Sequence, residues 1–260
     1  MKKKIAIIIL SILILITGSI AITFYHGKYV MPITFKTSFV EINDEQLPDS
    51  FVGYKILYFS DLQYGENFDK TRLEKLQTAI NSLDYDLILF GGDLIDKDYS
   101  PVSDDVEILK DFFKSLKCKG GKFAILGEQD QVTDSRNVLV KMILENSGVE
   151  LISKDMNIYN NTSEYIIING LNYGSEEIIS SNENFTITLI HSNKQYDSLP
   201  KDIDLVLCGH THDKQINLFS SANYKFGLQD NLYITRGIGL YEKDYRLFNY
   251  PELCLFTLQK

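Results

Sequence analysis

Three of the four histidines in this 260-residue chain stand where they could hold a metal ion: His191, His210 and His212. His191 follows the apolar run Phe185–Ile190, and Gly209-His210-Thr211-His212 follow Asp204–Cys208. Acids and amides stand in the same relation to earlier runs. Asp61 and Gln63 follow Lys55–Ser60, Gly92-Asp93 follow Asp86–Phe90, and Gly127-Glu128-Gln129-Asp130 follow Lys122–Leu126. A lone Asp after a strand more often caps a turn than binds a ligand, and a His-x-His in a loop is a weak signal by itself. Jointly they point to one chemistry. Hydrolysis by a pair of divalent ions needs carboxylate and imidazole ligands brought from several strand ends at once.

The elements that would carry these residues follow from periodicity. The runs named above read as strands, joined by an edge strand in the Ile33–Ile42 region and by strands near Val149–Ile152, Tyr165–Asn169, Leu232–Thr235 and Leu253–Leu258. Leu73, Leu76, Ile80 and Leu83 have helical spacing within Phe68–Leu83, as do Val106, Leu109, Phe112 and Leu116, and a third helix is expected around Val138–Asn146. Helices alternating with strands early, and strands crowding late, predict an α/β fold. Its form is a four-layer α/β/β/α sandwich of two mixed sheets flanked by helices, after one N-terminal transmembrane helix. In such sheets ligands bind beyond the carboxyl ends of the strands, which is where five of these strands deliver their polar residues.

The N-terminal helix is read from Ile5–Phe24, twenty residues without a charge behind Lys2, Lys3 and Lys4. At about 1.5 Å per residue such a run crosses a hydrocarbon core of about 30 Å. A cleaved signal peptide is the alternative, with Ser19-Ile20-Ala21 as a cleavage site, although signal cores are usually about 7–15 residues. The lysines ahead of the span place the N-terminus in the cytoplasm and the rest outside a cell membrane crossed once. The expected organisation is an anchor over 1–30, a tether and edge strand over 31–50, and one domain over 51–260. Cys118, Cys208 and Cys254 are too few for a disulfide framework. Residues 1–30 hold four lysines and no acid, so the remainder carries −13 against −9 for the whole chain. That charge repels nucleic acid and other polyanions, and an anionic substrate would need a local positive centre.

The ordered series Asp61-Leu62-Gln63, Gly92-Asp93, Gly127-Glu128-Gln129-Asp130, His191 and Gly209-His210-Thr211-His212 resembles the calcineurin-like metallophosphoesterase family. That family writes D-x-H, G-D, G-N-H-D, H and G-H-x-H in this order. The likeness runs from about Leu47 to Leu258, and Arg236-Gly237-Ile238-Gly239 with Arg246 through Pro251-Glu252 is similar to its membrane-associated bacterial phosphodiesterases. The resemblance implies two divalent ions bridged by Asp93. One would be held by Asp61, Gln63 and His212, the other by Glu128, His191 and His210, with a hydroxide between them attacking phosphorus in line. It implies a phosphoester substrate, envelope or lipid-linked for a domain outside the membrane.

Three positions depart from the family pattern. Gln63 replaces a histidine ligand, and its amide oxygen is a weaker donor. Glu128 replaces an asparagine, which sets three carboxylates against the four positive charges of two ions and weakens the pull on phosphate. Gln129 replaces the histidine beside the leaving group. An amide delivers no proton, and Asp130 is left without an imidazole to orient. Losing a general acid costs about 10²–10⁴-fold, or roughly 3–5 kcal/mol. The expected protein is therefore a slowed phosphodiesterase or phosphomonoesterase, with a non-catalytic metal and phosphoryl binder as the alternative. The oxygen-rich ligand set points first to Mn²⁺, with Zn²⁺, Fe²⁺ and Mg²⁺ as the others.

Overall fold

Strand β1 (Lys36–Asn43) begins a sheet that the last strand, β12 (Glu252–Gln259), joins to the rest of the chain through eight parallel residue pairs. Inside β12 lie β2 (Lys55–Phe59), β3 (Leu87–Phe90), β4 (Lys122–Ala124) and β5 (Glu150–Leu151), mutually parallel and in chain order, with β12 antiparallel to β2. The crossovers are the helices α2 (Lys70–Asn81), α3 (Ser103–Ser115) and α4 (Asp134–Glu145), which follow α1 (Lys2–Tyr25). The computed structural model describes residues 2–152, 155–175, 184–210, 215, 225–241 and 244–260.

A second sheet of six strands has β6 (Met156–Tyr159), β7 (Tyr165–Leu171), β8 (Thr186–Ile190), β9 (Leu205–Cys208), β10 (Gly227–Gln229) and β11 (Leu232–Ile234), in the order β10-β11-β9-β8-β7-β6. Its four inner strands are parallel and its two edge strands antiparallel, so both sheets are mixed. Alternate residues explain the layering. Ile56, Tyr58, Leu87, Leu89 and Phe256 face Ile166, Ile168, Ile187, Leu189 and Leu207 between the sheets. Leu57, Phe59, Ile88 and Phe90 point the other way, onto Leu73, Leu76, Leu109, Phe113 and Val140 of the three helices. Each such side chain, fully buried, is worth about 1.5–3 kcal/mol. Among the described residues the second sheet is covered more thinly. Its outer face packs on Leu199, Ile203 and Tyr196, in and just after the short helix Asn193–Ser198.

The expected elements form, with local differences. Helix α4 starts at Asp134, ahead of the expected Val138, because the Thr133 hydroxyl caps it by accepting from Arg136 N. Strand β4 stops at Ala124, two residues early, where Asn172 Oδ1 takes the Leu126 N–H away from the ladder. The edge strands β6 and β10 were not expected; most of their residues are exposed or half-exposed, so they lack an apolar run.

Candidate metal centre

The carboxyl ends of β2, β3 and β4 meet those of β8 and β9 at one edge of the sandwich. There the backbone takes an uncommon course. Asp61, Gln63, Asp93 and His210 all have positive φ, at 60°, 51°, 57° and 63°. Such conformations cost of order 1–3 kcal/mol each and persist where surroundings enforce them. Hydrogen bonds between the loops do so: Asp61 N donates to Gly92 O at 2.9 Å, Gln63 N to Asp93 O at 3.0 Å and Gly239 N to Asp61 O at 2.7 Å. Gly127 is required by space, since a Cβ there would stand 2.2 Å from Asp93 Oδ1 and 2.6 Å from His191 Cε1.

Asp93, His191 and His210 bring one ligand atom each to within 4.8 Å of one another. His191 is wholly buried. Its Nδ1 lies 2.8 Å from Gly91 O, which fixes Nδ1 as the protonated nitrogen and turns Nε2 inward. That Nε2 is buried and makes no hydrogen bond, lying 3.3 Å from Asp93 Oδ2 and 4.0 Å from Asp61 Oδ1. Burial alone would push the imidazole pKa down, but the Asp93 and Asp61 carboxylates and the Gly91 carbonyl outweigh it and hold it up at about 10. The electrostatic field here favours a cation. For His210, burial and the neighbouring His191 act the other way and lower its pKa. A buried imidazole nitrogen that makes no hydrogen bond, next to two carboxylates, fits a divalent ion.

The other expected residues divide. Asp61 is 1% exposed and accepts His210 N on both carboxylate oxygens at 3.1 Å. Glu128 reaches in from the rim, its Oε2 3.8 Å from His210 Nδ1 and its side chain 40% exposed. Gln63 turns its amide nitrogen to Asp93, with Nε2 donating to Oδ2 at 2.9 Å, so coordination through oxygen requires a half-turn of that amide. His212 lies outside the described residues. Gln129 is buried, its N–H donating to Asp93 Oδ1 at 2.7 Å while its Oε1 has no hydrogen-bond partner.

Asp130 has a different role from orienting a ring. Its oxygens accept the backbone N–H groups of Asp93 and Leu94 at 2.8 Å and of Gly127 at 2.9 Å, clamping two loops together. Burial and the Asp93 carboxylate push its pKa up to about 6. Asp130→Ala would strand three buried amides, each costing about 1–3 kcal/mol. We expect urea unfolding to show a loss of about 3–5 kcal/mol; a change below about 1 kcal/mol would remove the clamp.

Two further residues stand at the centre. Tyr173 sits two positions past β7, its ring centroid 5.9 Å from that of His191 and 5.7 Å from that of His210. Gln131 Nε2 bonds both Gly127 O at 3.1 Å and Tyr173 O at 3.0 Å, tying this loop to the Glu128 loop. Position at the strand's carboxyl end was the signal that could have found Tyr173. Arg246 is the other. It is wholly buried beneath the Asp61 loop, its Nη2 donating to Gly239 O at 2.7 Å and Gly237 O at 3.0 Å.

The chain has relatives among known proteins. The profile of the calcineurin-like phosphoesterases matches residues 54–214. The chain is 25% identical over 266 residues to the uncharacterized metallophosphoesterase YkuE of Bacillus subtilis, covering 90% of this chain and 89% of that one. It is 26% identical to the UDP-2,3-diacylglucosamine pyrophosphatase LpxG of Chlamydia muridarum (82% and 86% covered) and 26% identical to the phosphodiesterase YaeI of Escherichia coli (81% and 84%). Other matched relatives are longer, the chain spanning 64% and 56% of two of them. The match covers more than half of the chain and includes Asp61, Asp93 and the candidate histidines: this protein belongs to the calcineurin-like phosphoesterase family.

Proposed function

We propose that the protein is a phosphoester hydrolase with a dinuclear metal centre, anchored by α1 in the cell membrane with its domain, over 51–260, on the outer face. The observation that carries the reading is the buried Nε2 of His191, which makes no hydrogen bond and faces the carboxylates of Asp93 at 3.3 Å and Asp61 at 4.0 Å. Asp93 would bridge the ions, with Asp61, Gln63 and His212 on one and Glu128, His191 and His210 on the other. Two divalent ions, when bound, supply Lewis-acid stabilisation of the phosphoryl charge and an acidified water as nucleophile. The chain's own part is placement. The Gly91 carbonyl fixes the His191 tautomer, and the Asp130 clamp sets the distance between the Asp93 and Glu128 loops. Gln129 holds no proton to give, so esters with good leaving groups are favoured. Relatives named as a phosphodiesterase and as a pyrophosphatase of a diacylated sugar nucleotide support an envelope or lipid-linked phosphodiester or pyrophosphate as substrate.

The test is hydrolysis of bis(p-nitrophenyl) phosphate, which does not cross membranes, by intact cells carrying the full chain. Hydrolysis that rises with Mn²⁺ and falls with a chelator is expected without lysis. Activity seen only after lysis would overturn the outer placement. No activity in either state, from protein that retains two ions, would overturn the hydrolase and favour the metal-holding binder, a reading that the amide at Gln129 supports.

A further inference from the structure

The N-terminal helix does not end free of the domain. Past Tyr25 it continues through the helical turns His26–Val30 and Met31–Ile33, where Gly27, Met31 and Pro32 are buried. Arg246 N donates to Gly27 O at 2.9 Å, and a Cβ at Gly27 would stand 2.8 Å from Arg246 O, so only glycine fits. Lys28 pairs with Asp244 at 2.5 Å, and the Phe24 and Tyr245 rings lie 6.3 Å apart. The segment from Asp244 to Leu247 is thus seated at the end of the apolar run.

Just beyond it, Phe248 is 58% exposed with φ at 56°. A bulky residue in that region is strained, and here no burial offsets the cost. Phe248 lines a cleft of about 320 Å³ with Lys36, Ser38, Arg236, Tyr250 and Glu252. Lys36 Nζ sits 4.0 Å over the Tyr250 ring. The Glu252 charge is spent inside the fold, where it accepts from the hydroxyls of Ser38, Tyr233 and Thr235 and from Arg236 N and Nη1. Lys36 therefore presents a positive charge on a chain that is otherwise strongly acidic. An exposed phenylalanine, a half-buried tyrosine and a cation, continuous with an apolar helix, are the composition of a surface that sits among acidic head groups.

We propose that Phe248, Tyr250 and Lys36 form a second membrane contact, seated among the head groups of anionic bilayer lipid beside the emerging helix. The contact rests on the anchored reading of α1 and not on catalysis. On its inner side the same segment reaches the metal centre: Arg246 bonds Gly239 O, and Gly239 N bonds Asp61 O. The Asp61 side of the centre is thereby held close to the lipid surface.

The sequence contains no tryptophan, so one substitution gives a single indole reporter. The experiment places the full chain in vesicles of phosphatidylcholine with or without phosphatidylglycerol, using lipids brominated near the head group. Phe248→Trp should lose most of its emission and shift to the blue, more so with phosphatidylglycerol. Adding Lys36→Gln should abolish that extra quenching. Tyr25→Trp, in the anchor, should be quenched, and Val138→Trp, exposed on α4, should not. Quenching at Tyr25→Trp without quenching at Phe248→Trp overturns the contact while leaving the anchor. No quenching at either overturns both. Equal quenching in the two lipids, unaffected by Lys36→Gln, overturns the anionic head group.

Discussion

Asp93→Ala should leave the strands folded and the protein without bound metal or measurable hydrolysis. Asp93 is the residue on which the centre converges. Its Oδ1 takes Gln129 N at 2.7 Å, its Oδ2 takes Gln63 Nε2 at 2.9 Å, and His191 Nε2 is 3.3 Å away. Removing the carboxylate strands two buried donors at about 1–3 kcal/mol each. It relieves repulsion with Asp130 but gives up the attraction between the carboxylate and His191, so the two stranded donors set the stability lost by the metal-free variant. Metal content after dialysis, circular dichroism and a melting curve separate the effects. Unchanged metal stoichiometry would mean that Asp93 only ties loops together, and the bridging role would fall.

The other large effect is a gain. Gln129→His should raise turnover of an alkyl phosphodiester by about 10²-fold or more, while an activated aryl ester, whose leaving group needs little protonation, gains much less. The structure favours a clean exchange. Gln129 is fixed by its backbone N–H to Asp93, and its side-chain Oε1 makes no hydrogen bond that the substitution would break. Asp130 Oδ1 accepts only Leu94 N, so it keeps acceptor capacity for the new ring while its three backbone amides stay bonded. If both esters speed up alike, folding or metal occupancy has changed and no proton donor has been added. If neither responds with two ions bound, Glu128 and Gln63 have altered the cage itself.

Most of the candidate centre was legible because its residues interrupt apolar runs at the carboxyl ends of strands. That rule puts Asp61, Asp93, Glu128, His191 and His210 at strand ends, the resemblance to the family gave them their roles, and the rule also covers Tyr173, which no motif singled out. The work of Asp130 was not legible, because its partners are backbone amides and any residue supplies those. Nor was the burial of Arg246: arginine is seldom fully buried, and the carbonyls that receive it come from a glycine turn with no charge to announce them. Strands β6 and β10 escaped for a related reason. Edge strands need only one buried side chain or none, so neither leaves an alternating pattern.

The bond from Gly27 to Arg246 also bears on how such a protein finds its substrate. A domain on a flexible leash sweeps a volume whose size is set by linker length. Here the helix runs into the domain through buried residues, and β1 follows three positions after Ile33. With the helix in a bilayer, the metal centre sits at one height and one orientation. On the proposed reading, the search would then be made by the lipid, with molecules diffusing in the plane of the membrane delivered to the centre at a fixed height.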